Sequence, residues 1–212
     1  MKGTAWVVGP KLLLTNHHVI NARLSGETDA SPDDFKLQAL RGDVQFDYDD
    51  ETSEPTNLKI AALEAVSKVL DYALIRLEAD IDREPIALAS KRVEVTSTTF
   101  LPVNIIQHPG GLHKQVAFRN NLATGADQNF VRYLTDTDAG SSGSPVCDDT
   151  WHVVALHRGA RQVEKFNFQG KPSAYLNYGT QIQSVLEDLQ QTNGATYAAI
   201  AEAQAALRSR KD

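Results

Sequence analysis

The chain has 212 residues and a formal net charge of −6, and its composition excludes several classes of binding partner. Nucleic-acid binding depends on clustered Lys and Arg, so an acidic chain is not expected to have a nucleic-acid partner. No run of about 18 apolar residues occurs, which argues against a membrane partner. Cys147 is the single cysteine and excludes a disulfide within the chain, which favours the reducing cytoplasm.

The first predicted elements are two strands within residues 4–20, joined by a turn at Gly9-Pro10. His17 and His18 follow where the second strand gives way to a loop. Side chains of adjacent strand residues point to opposite faces, so this pair is a poor metal site. We therefore expect His17 to be a structural neighbour of His18.

Further strand-like runs continue the first half of the chain. Phe35–Leu40 alternates between apolar and polar residues, as a half-buried strand does. Residues 58–63 and 66–77 are two more apolar runs, and Asp71 lies within the second. Residues 83–92 contain a proline and several charges, which indicates a connector.

A segment of small residues interrupts the strand-like runs of the second half, residues 93–106 and 130–134 before it and 153–157 after it. Within it, Gly140 and Gly143 can adopt dihedral angles that other residues resist, so that backbone N–H groups can converge on one point. A serine among such amides can act as a nucleophile with an oxyanion site beside it. Composition alone also fits a Gly/Ser linker.

Three motifs lie in the order His, Asp, Ser: Thr15-Asn16-His17-His18-Val19, Asp71-Tyr72-Ala73-Leu74 and Gly140-Ser141-Ser142-Gly143-Ser144-Pro145. This order is that of the chymotrypsin fold and differs from those of subtilisin and the α/β-hydrolases, which disfavours an esterase or lipase. On these motifs the chain resembles a bacterial trypsin-like (chymotrypsin-fold) serine peptidase, close to the glutamyl-endopeptidase branch.

The resemblance implies an all-β fold with two six-stranded antiparallel β-barrels, a C-terminal helix and an Ala-rich helical tail. The peptidase domain would span residues 1–190, with an N-terminal barrel at about 1–82, a connector at 83–92, a C-terminal barrel at about 93–179, and a helix at 180–190. The helix has one apolar face, and Thr180 would cap it. Residues 191–212 would be a docked helical tail or a linker to a missing domain.

The resemblance also implies a role for each motif. Ser142 would be the nucleophile, His18 the general base and Asp71 the acid that orients the imidazole. The amides of Gly140 and Ser142 would form the oxyanion hole. This chemistry requires no cofactor and no metal. The partner would be a protein or peptide substrate, and a regulatory partner or flanking domain is expected because a cytoplasmic peptidase needs restraint.

A competing interpretation is a catalytically silent trypsin-fold module that serves binding or scaffolding. Such modules usually lose a member of the triad, and none is lost in this sequence. One position departs from the family pattern. Ser141 stands where trypsin-type zymogens have an Asp that pairs with a newly cut N-terminal amine, so activation by that ion pair is not expected.

Two interpretations of the specificity pocket remain open. Asp136, six residues before Ser142, matches by count the acid with which trypsin selects Arg or Lys. Thr137 and His157 instead match the pair with which glutamyl endopeptidases and picornaviral processing proteases hold Glu or Gln. The strand Arg158-Gly159-Ala160 would add a wall, with positive charge from its arginine. Two matched positions favour Glu or Gln before the cut, although His157 could instead be a structural histidine bound to Asp136 or to the backbone.

Overall fold

The structure is a computed structural model of the chain, and its architecture consists of two antiparallel β-sheets, four α-helices and one short 3-10 helix within the described residues. The described residues are 2–23, 26–96, 101–118, 121–168 and 171–210, and for 162–168 and 171–175 the description covers the backbone only. Among the residues so described, no helix is both long and apolar enough to cross a membrane.

The N-terminal sheet has five strands: β1 Trp6–Gly9, β2 Leu12–Thr15, β3 Asp43–Phe46, β4 Thr56–Ser67 and β5 Tyr72–Leu77. In space they follow the order β1-β2-β5-β4-β3, and every pair is antiparallel. The alternating apolar side chains of these strands, among them Leu13, Ile60 and Ile75, form an apolar cluster of their own. Burial of this cluster gives the sheet its own driving force for folding.

The C-terminal sheet has eight strands: β6 Leu101–Pro102, β7 Asn104–Gln107, β8 Gln115–Ala117, β9 Leu122–Ala126, β10 Phe130–Leu134, β11 Pro145–Cys147, β12 Val153–Phe168 and β13 Lys171–Gln181. Their spatial order is β6-β9-β10-β13-β12-β11-β7-β8. Two antiparallel sheets confirm the predicted fold class. The described strands number five and eight where six and six were expected, and the short strands β6 and β8 at the two ends account for the excess in the second sheet.

A helix, α2 (Pro32–Leu40), stands where the alternation predicted a strand over Phe35–Leu40, and that prediction is wrong. Ser31 caps the helix by accepting a hydrogen bond from Asp34 N at 3.2 Å, and a proline occupies the first turn. The two buried residues of the helix lie four positions apart, on one helical face. The start signals therefore outweigh the apolar–polar alternation in this segment.

Two helices follow the second sheet: α3 Ile182–Thr192 and α4 Gly194–Ser209. Helix α3 begins after the predicted cap, because Thr180 still belongs to β13 and its hydroxyl donates to Leu70 O at 2.7 Å. On α4, Gln204 accepts a hydrogen bond from Leu88 N at 2.8 Å and donates to Ile86 O at 3.0 Å. The Ala-rich tail is thus docked on the segment between the two sheets.

The largest apolar cluster joins both sheets with α3 and α4. It includes Trp6 of β1, Leu156 of β12, Val185 of α3 and Ile200 of α4. Cys147 is completely buried in the same cluster, and burial raises the pKa of its thiol to about 12. A thiol with so high a pKa is unreactive at neutral pH, as the sequence suggests for a small buried side chain.

Candidate active site

His18 is the second residue of α1 (His17–Ile20), the single helical turn that follows β2. Its Nδ1 lies 2.8 Å from Asp71 Oδ2, and its backbone N donates to Asp71 Oδ1 at 3.1 Å. The pairing of β2 with β5 produces this contact, because Thr15 lies opposite Ala73 and both strands meet at this edge. The carboxylate therefore orients the ring and leaves Nε2 as the nitrogen available for proton transfer.

His17 makes a different contact. Its ring stacks on Phe35 of α2 with the ring centroids 4.5 Å apart, and burial lowers the pKa of its imidazole. The stack attaches α1 to α2 and is a structural contact of the kind expected for His17. The two histidine side chains make different contacts because consecutive side chains of a helical turn diverge by about 100°. The alternation of a strand, on which the expectation was based, is not the reason.

Asp71 adopts the left-handed conformation with φ = 53°, which Asp tolerates better than most residues. Its backbone carbonyl accepts a hydrogen bond from Asn16 Nδ2 at 2.8 Å. Its side chain is 9% exposed, and Oδ2 also accepts from Arg158 Nε at 3.2 Å. A buried carboxylate held by three donors is pre-organised, so it needs little rearrangement to orient His18.

The loop before β11 carries Ser142 between two glycines that both have positive φ, 97° at Gly140 and 88° at Gly143. A Cβ at Gly140 would lie 2.6 Å from His108 O, and one at Gly143 would lie 2.1 Å from Thr4 O. Both contacts are with backbone atoms, which cannot move aside cheaply. Glycine is therefore required at both positions, because of the dihedral angle and because there is no space for a Cβ.

Two backbone amides of this loop have no hydrogen-bond acceptor within the described residues. In the described part of the chain, Gly140 N and Ser142 N donate no hydrogen bond, whereas Ser141 N, Gly143 N and Ser144 N each have a backbone acceptor. The Ala139 carbonyl accepts from Gly110 N at 2.5 Å. Since the C=O and N–H of a trans peptide point in opposite directions, Gly140 N–H points away from that contact. This leaves two free donors beside Ser142, as an oxyanion hole requires.

Ser142 is half-buried, and its contacts are with neighbours of the His18–Asp71 pair. Its Oγ is 3.5 Å from Arg158 O, and the side chain of the same arginine contacts Asp71. A Cβ on Gly3 would lie 2.6 Å from Val19 and 3.2 Å from Ser142 O. No hydrogen bond joins Ser142 Oγ to His18 within the described residues; catalytic bonds of this kind are often long before substrate binds.

Ser141 stabilises the loop that carries Ser142 from within. It is fully buried, its hydroxyl accepts a hydrogen bond from Asp138 N at 3.2 Å, and its amide donates to Asp138 O at 3.0 Å. From the other side, the Thr4 hydroxyl donates to Gly140 O at 3.0 Å and accepts from His108 N at 3.1 Å. The loop therefore has its shape without an ion pair at position 141.

His157 is 2% exposed on β12, and its Nδ1 lies 2.6 Å from the hydroxyl of Tyr133 on β10. Burial lowers the pKa of its imidazole to about 4, with a further contribution from His18, so the ring is neutral at pH 7. The partner is neither Asp136 nor a backbone group, the two structural partners considered from the sequence. It is a fully buried phenol, whose own pKa burial raises far above its usual value.

Thr137 and Asp136 line an open cavity of about 550 Å³, bounded on its far side by residues of β7 and β8. The Thr137 hydroxyl donates to Asn177 Oδ1 at 2.6 Å, and Asn177 Nδ2 in turn donates to Thr135 O at 2.8 Å. Asp136 is exposed, so it does not form the buried floor of a pocket. Asn177 lies opposite Tyr133 across the β10–β13 pair, which places Thr137 and His157 in one neighbourhood.

Arg158 lies elsewhere than in the predicted pocket wall. It is the extra residue of a β-bulge, because His157 pairs with Gly179 and Gly159 already pairs with Tyr178. A bulge redirects a side chain, and this one reaches Asp71 and, at 3.4 Å, Val69 O. Ala160 continues β12 opposite Asn177. The positive charge of Arg158 is therefore next to Asp71 and not next to the His157 ring.

A comparison with protein families decides the family. The model of the trypsin-like peptidase domain matches residues 3–156, which is more than half of the chain. The chain belongs to the trypsin-like peptidase family. Every motif that suggested the resemblance lies within the matched range, and the match also includes the whole loop that carries Ser142.

Two relatives are similar to this peptidase chain over most of its length. The uncharacterized protein y4fB of Sinorhizobium fredii (strain NBRC 101917 / NGR234) is 31% identical over 176 residues, 73% of this chain and 24% of that protein. Secreted RxLR effector protein 73 of Plasmopara viticola is 30% identical over 171 residues, 73% of this chain and 40% of that protein. The chain thus spans less than half the length of either relative.

Two solved structures of proteases are similar to this chain in fold. A structure of Glu endopeptidase matches with a TM-score of 0.58 and 20% identity, over 84% of this chain and 79% of that one. The active form of the Rv3671c protease from M. tuberculosis matches with a TM-score of 0.56 and 15% identity, over 90% and 73%. At such identities these likenesses establish the fold of the peptidase domain.

Three supporting residues were missed by sequence reasoning. Tyr133 orients His157, Asn177 orients Thr137, and Thr4 supports the loop that carries Ser142. Each acts across a long sequence separation, so no local motif marks it. For Tyr133 a signal existed, because it alternates with Val131 on the buried face of a predicted strand, and a buried phenol usually has a hydrogen-bond partner.

Proposed function

We propose that the chain is a serine endopeptidase in which Ser142 is the nucleophile, His18 the general base and Asp71 the orienting acid. The observation that carries this proposal is the 2.8 Å contact of His18 Nδ1 with Asp71, made beside a serine whose loop has two free amides. A base, an orienting acid and an oxyanion site are the groups that serine acyl transfer needs.

The reaction follows from the roles of these groups. Ser142 Oγ attacks the carbonyl carbon of the scissile peptide while His18 Nε2 accepts its proton, and the amides of Gly140 and Ser142 donate to the developing oxyanion. The C–N bond then breaks, and the imidazolium returns the proton to the leaving amine. Water attacks the resulting ester by the same route, which releases the acid and regenerates the serine hydroxyl.

Hydrolysis of a proteome-derived peptide library tests this function. The wild-type chain should cleave a subset of peptides, and Ser142→Ala should lose about 10⁴-fold or more in kcat. A silent binding module is the second candidate, because Ser142 Oγ contacts Arg158 O and no hydrogen bond to His18 is seen among the described residues. Equal cleavage by wild type and Ser142→Ala, or none by either, would favour that module.

We further propose that the enzyme prefers Gln or Glu before the cut. Within the described residues His157 Nδ1 is the only acceptor near the buried Tyr133 hydroxyl, so the hydroxyl donates to Nδ1 and the proton of the neutral ring resides on Nε2. His157 Nε2–H can then donate to a side-chain oxygen of the substrate. Because the ring is uncharged, Gln should be accepted at least as well as Glu.

Substitutions on both sides of this pocket test the preference. His157→Ala should lower kcat/KM for peptides with Gln before the cut by about 100-fold, since a polar group would be buried unpaired. Tyr133→Phe keeps the shape of the ring but removes the donor that sets the tautomer, so it should reduce the preference for Gln over Leu. A profile dominated by Arg or Lys, and abolished by Asp136→Ser, would instead assign Asp136 as the selecting group.

A further inference from the structure

A second cavity, of about 490 Å³, opens on the C-terminal sheet next to the active site. Strands β10, β12 and β13 supply its walls, and its volume is in the range of ordinary ligand pockets. The side chains that matter for its chemistry are three arginines and two aromatic residues: Arg132, Arg158, Arg161, Phe130 and Tyr178. We call this cavity the arginine pocket.

The charges of the arginine pocket are not balanced from within. Arg158 pairs with Asp71, but neither Arg132 nor Arg161 has an ion pair in the described part of the chain. One carboxylate, that of Asp127, also lines the cavity. Its Oδ1 already accepts from two backbone amides, at 3.0 and 2.9 Å, as part of the turn that precedes β10. These bonds leave the charge of Asp127 in place, so three arginines face two carboxylates, Asp71 and Asp127, and a net positive charge remains in the cavity.

The aromatic rings hold two of the guanidinium groups in place. Arg158 Cζ lies 5.0 Å from the centroid of Phe130 and 5.7 Å from that of Tyr178, and Arg161 Cζ lies 5.1 Å from the centroid of Tyr178. A guanidinium packed on a ring face keeps its N–H groups free at the edge. This arrangement is suited to a planar anion such as a carboxylate, which takes two parallel hydrogen bonds from one guanidinium.

The arginine pocket lies within reach of a bound peptide. Arg158 connects the two places, because its carbonyl oxygen is 3.5 Å from Ser142 Oγ while its side chain lines the pocket. An extended peptide advances about 3.3 to 3.6 Å per residue, and an arginine side chain is about two such steps long. A residue about two to four positions from the scissile bond can therefore place its side chain in the pocket.

We propose that the arginine pocket binds the carboxylate of an acidic side chain of the peptide substrate, about two to four residues from the scissile bond. This inference rests on the proposed peptidase function. Arg132 and Arg161 provide the net charge, and Arg158 connects the pocket to the active site. The same pocket chemistry would also accept a small free anion, so the experiment separates the two sources.

Binding is measured with the Ser142→Ala variant, so that cleavage does not interfere. Labelled peptides with Gln before the cut carry one Glu, or one Gln in its place, at each of the neighbouring positions, and their Kd values are read by fluorescence anisotropy. Arg132→Gln and Arg161→Gln are added singly. Arg210→Gln is the matched control, because that arginine caps the C-terminus of α4, pairs with Glu84 and does not line the pocket.

At one position about two to four residues from the cut, Glu should bind about 10-fold more tightly than Gln. Arg132→Gln and Arg161→Gln should each remove most of that ratio, and Arg210→Gln should keep it. Equal Kd values at every position, or a Glu preference that persists in both pocket variants, would overturn the proposal. So would inorganic phosphate binding that depends on both arginines while peptides show no Glu preference. Binding is measured without turnover. A wild-type chain without peptidase activity would therefore contradict the proposed function, whereas equal Kd values would contradict the pocket proposal, and the two failures are distinguishable.

Discussion

Asp71 accepts three hydrogen bonds at once, from the His18 imidazole, the His18 amide and the Arg158 guanidinium. Asp71→Asn replaces one acceptor oxygen by an NH₂ donor, which would favour the wrong tautomer of His18. We expect a loss of about 10⁴-fold in kcat with the fold retained, measured by peptide hydrolysis and circular dichroism. His17→Ala is the matched control and should be mild. If His17→Ala were inactive and His18→Ala were active, the general base would be His17 and not His18.

His157 should make the stability depend on pH. Its pKa is about 4 in the folded chain and near 6.5 in the unfolded chain, so only the unfolded state gains a proton between these values. The contribution of His157 to the free energy of unfolding is therefore complete above about pH 6.5. It decreases by up to about 3 kcal/mol as the pH falls toward 4. Denaturant unfolding at several pH values should give a flatter profile for His157→Gln. Parallel profiles for the two proteins would mean that the ring is protonated or exposed in solution.

At the scale of elements, the loop that carries Ser142 depends on its second glycine. Gly143→Ala would place a Cβ 2.1 Å from Thr4 O at a φ of 88°. We expect a loss of at least about 2 kcal/mol in the free energy of unfolding, together with loss of activity, because neither the backbone contact nor the dihedral angle can relax cheaply. Gly194→Ala is the control, since nothing lies within 4 Å of its Cβ position in the first turn of α4. Equal effects of the two substitutions would contradict this account of the loop.

The elements also show what the sequence could predict. The motifs predicted His18 after the second strand, Asp71 within a strand-like run and Ser142 in a glycine-rich loop, because each motif is local and its backbone requirements are visible in its residues. In the structure His18 lies in the helical turn α1 after β2, Asp71 directly precedes β5 and Ser142 lies in the loop before β11. Helix α2 escaped prediction because apolar residues four apart also fit an alternating pattern, and only the Ser-Pro start distinguishes the two. The direction of Arg158 depends on a bulge set by pairing with β13, which no local pattern encodes.

At the scale of the whole molecule, α4 joins the two sheets and is not a free tail. Ile200 is 3% exposed in the apolar cluster between the sheets, so Ile200→Ala should cost about 2 to 5 kcal/mol of unfolding free energy. The exposed Glu202→Ala on the same helix should change it by less than about 0.5 kcal/mol. If thermal and denaturant unfolding gave the same values for both variants, α4 would be detached in solution.

The central claim is that Ser142 is a nucleophile activated by His18. The most direct measurement is labelling with a fluorophosphonate probe, followed by mass spectrometry of the labelled peptide. We predict one probe per chain, attached to Ser142, with labelling abolished in Ser142→Ala, strongly slowed in His18→Ala and retained in Ser144→Ala. An unlabelled wild-type chain, or a probe attached at the same rate in His18→Ala, would contradict the assignment.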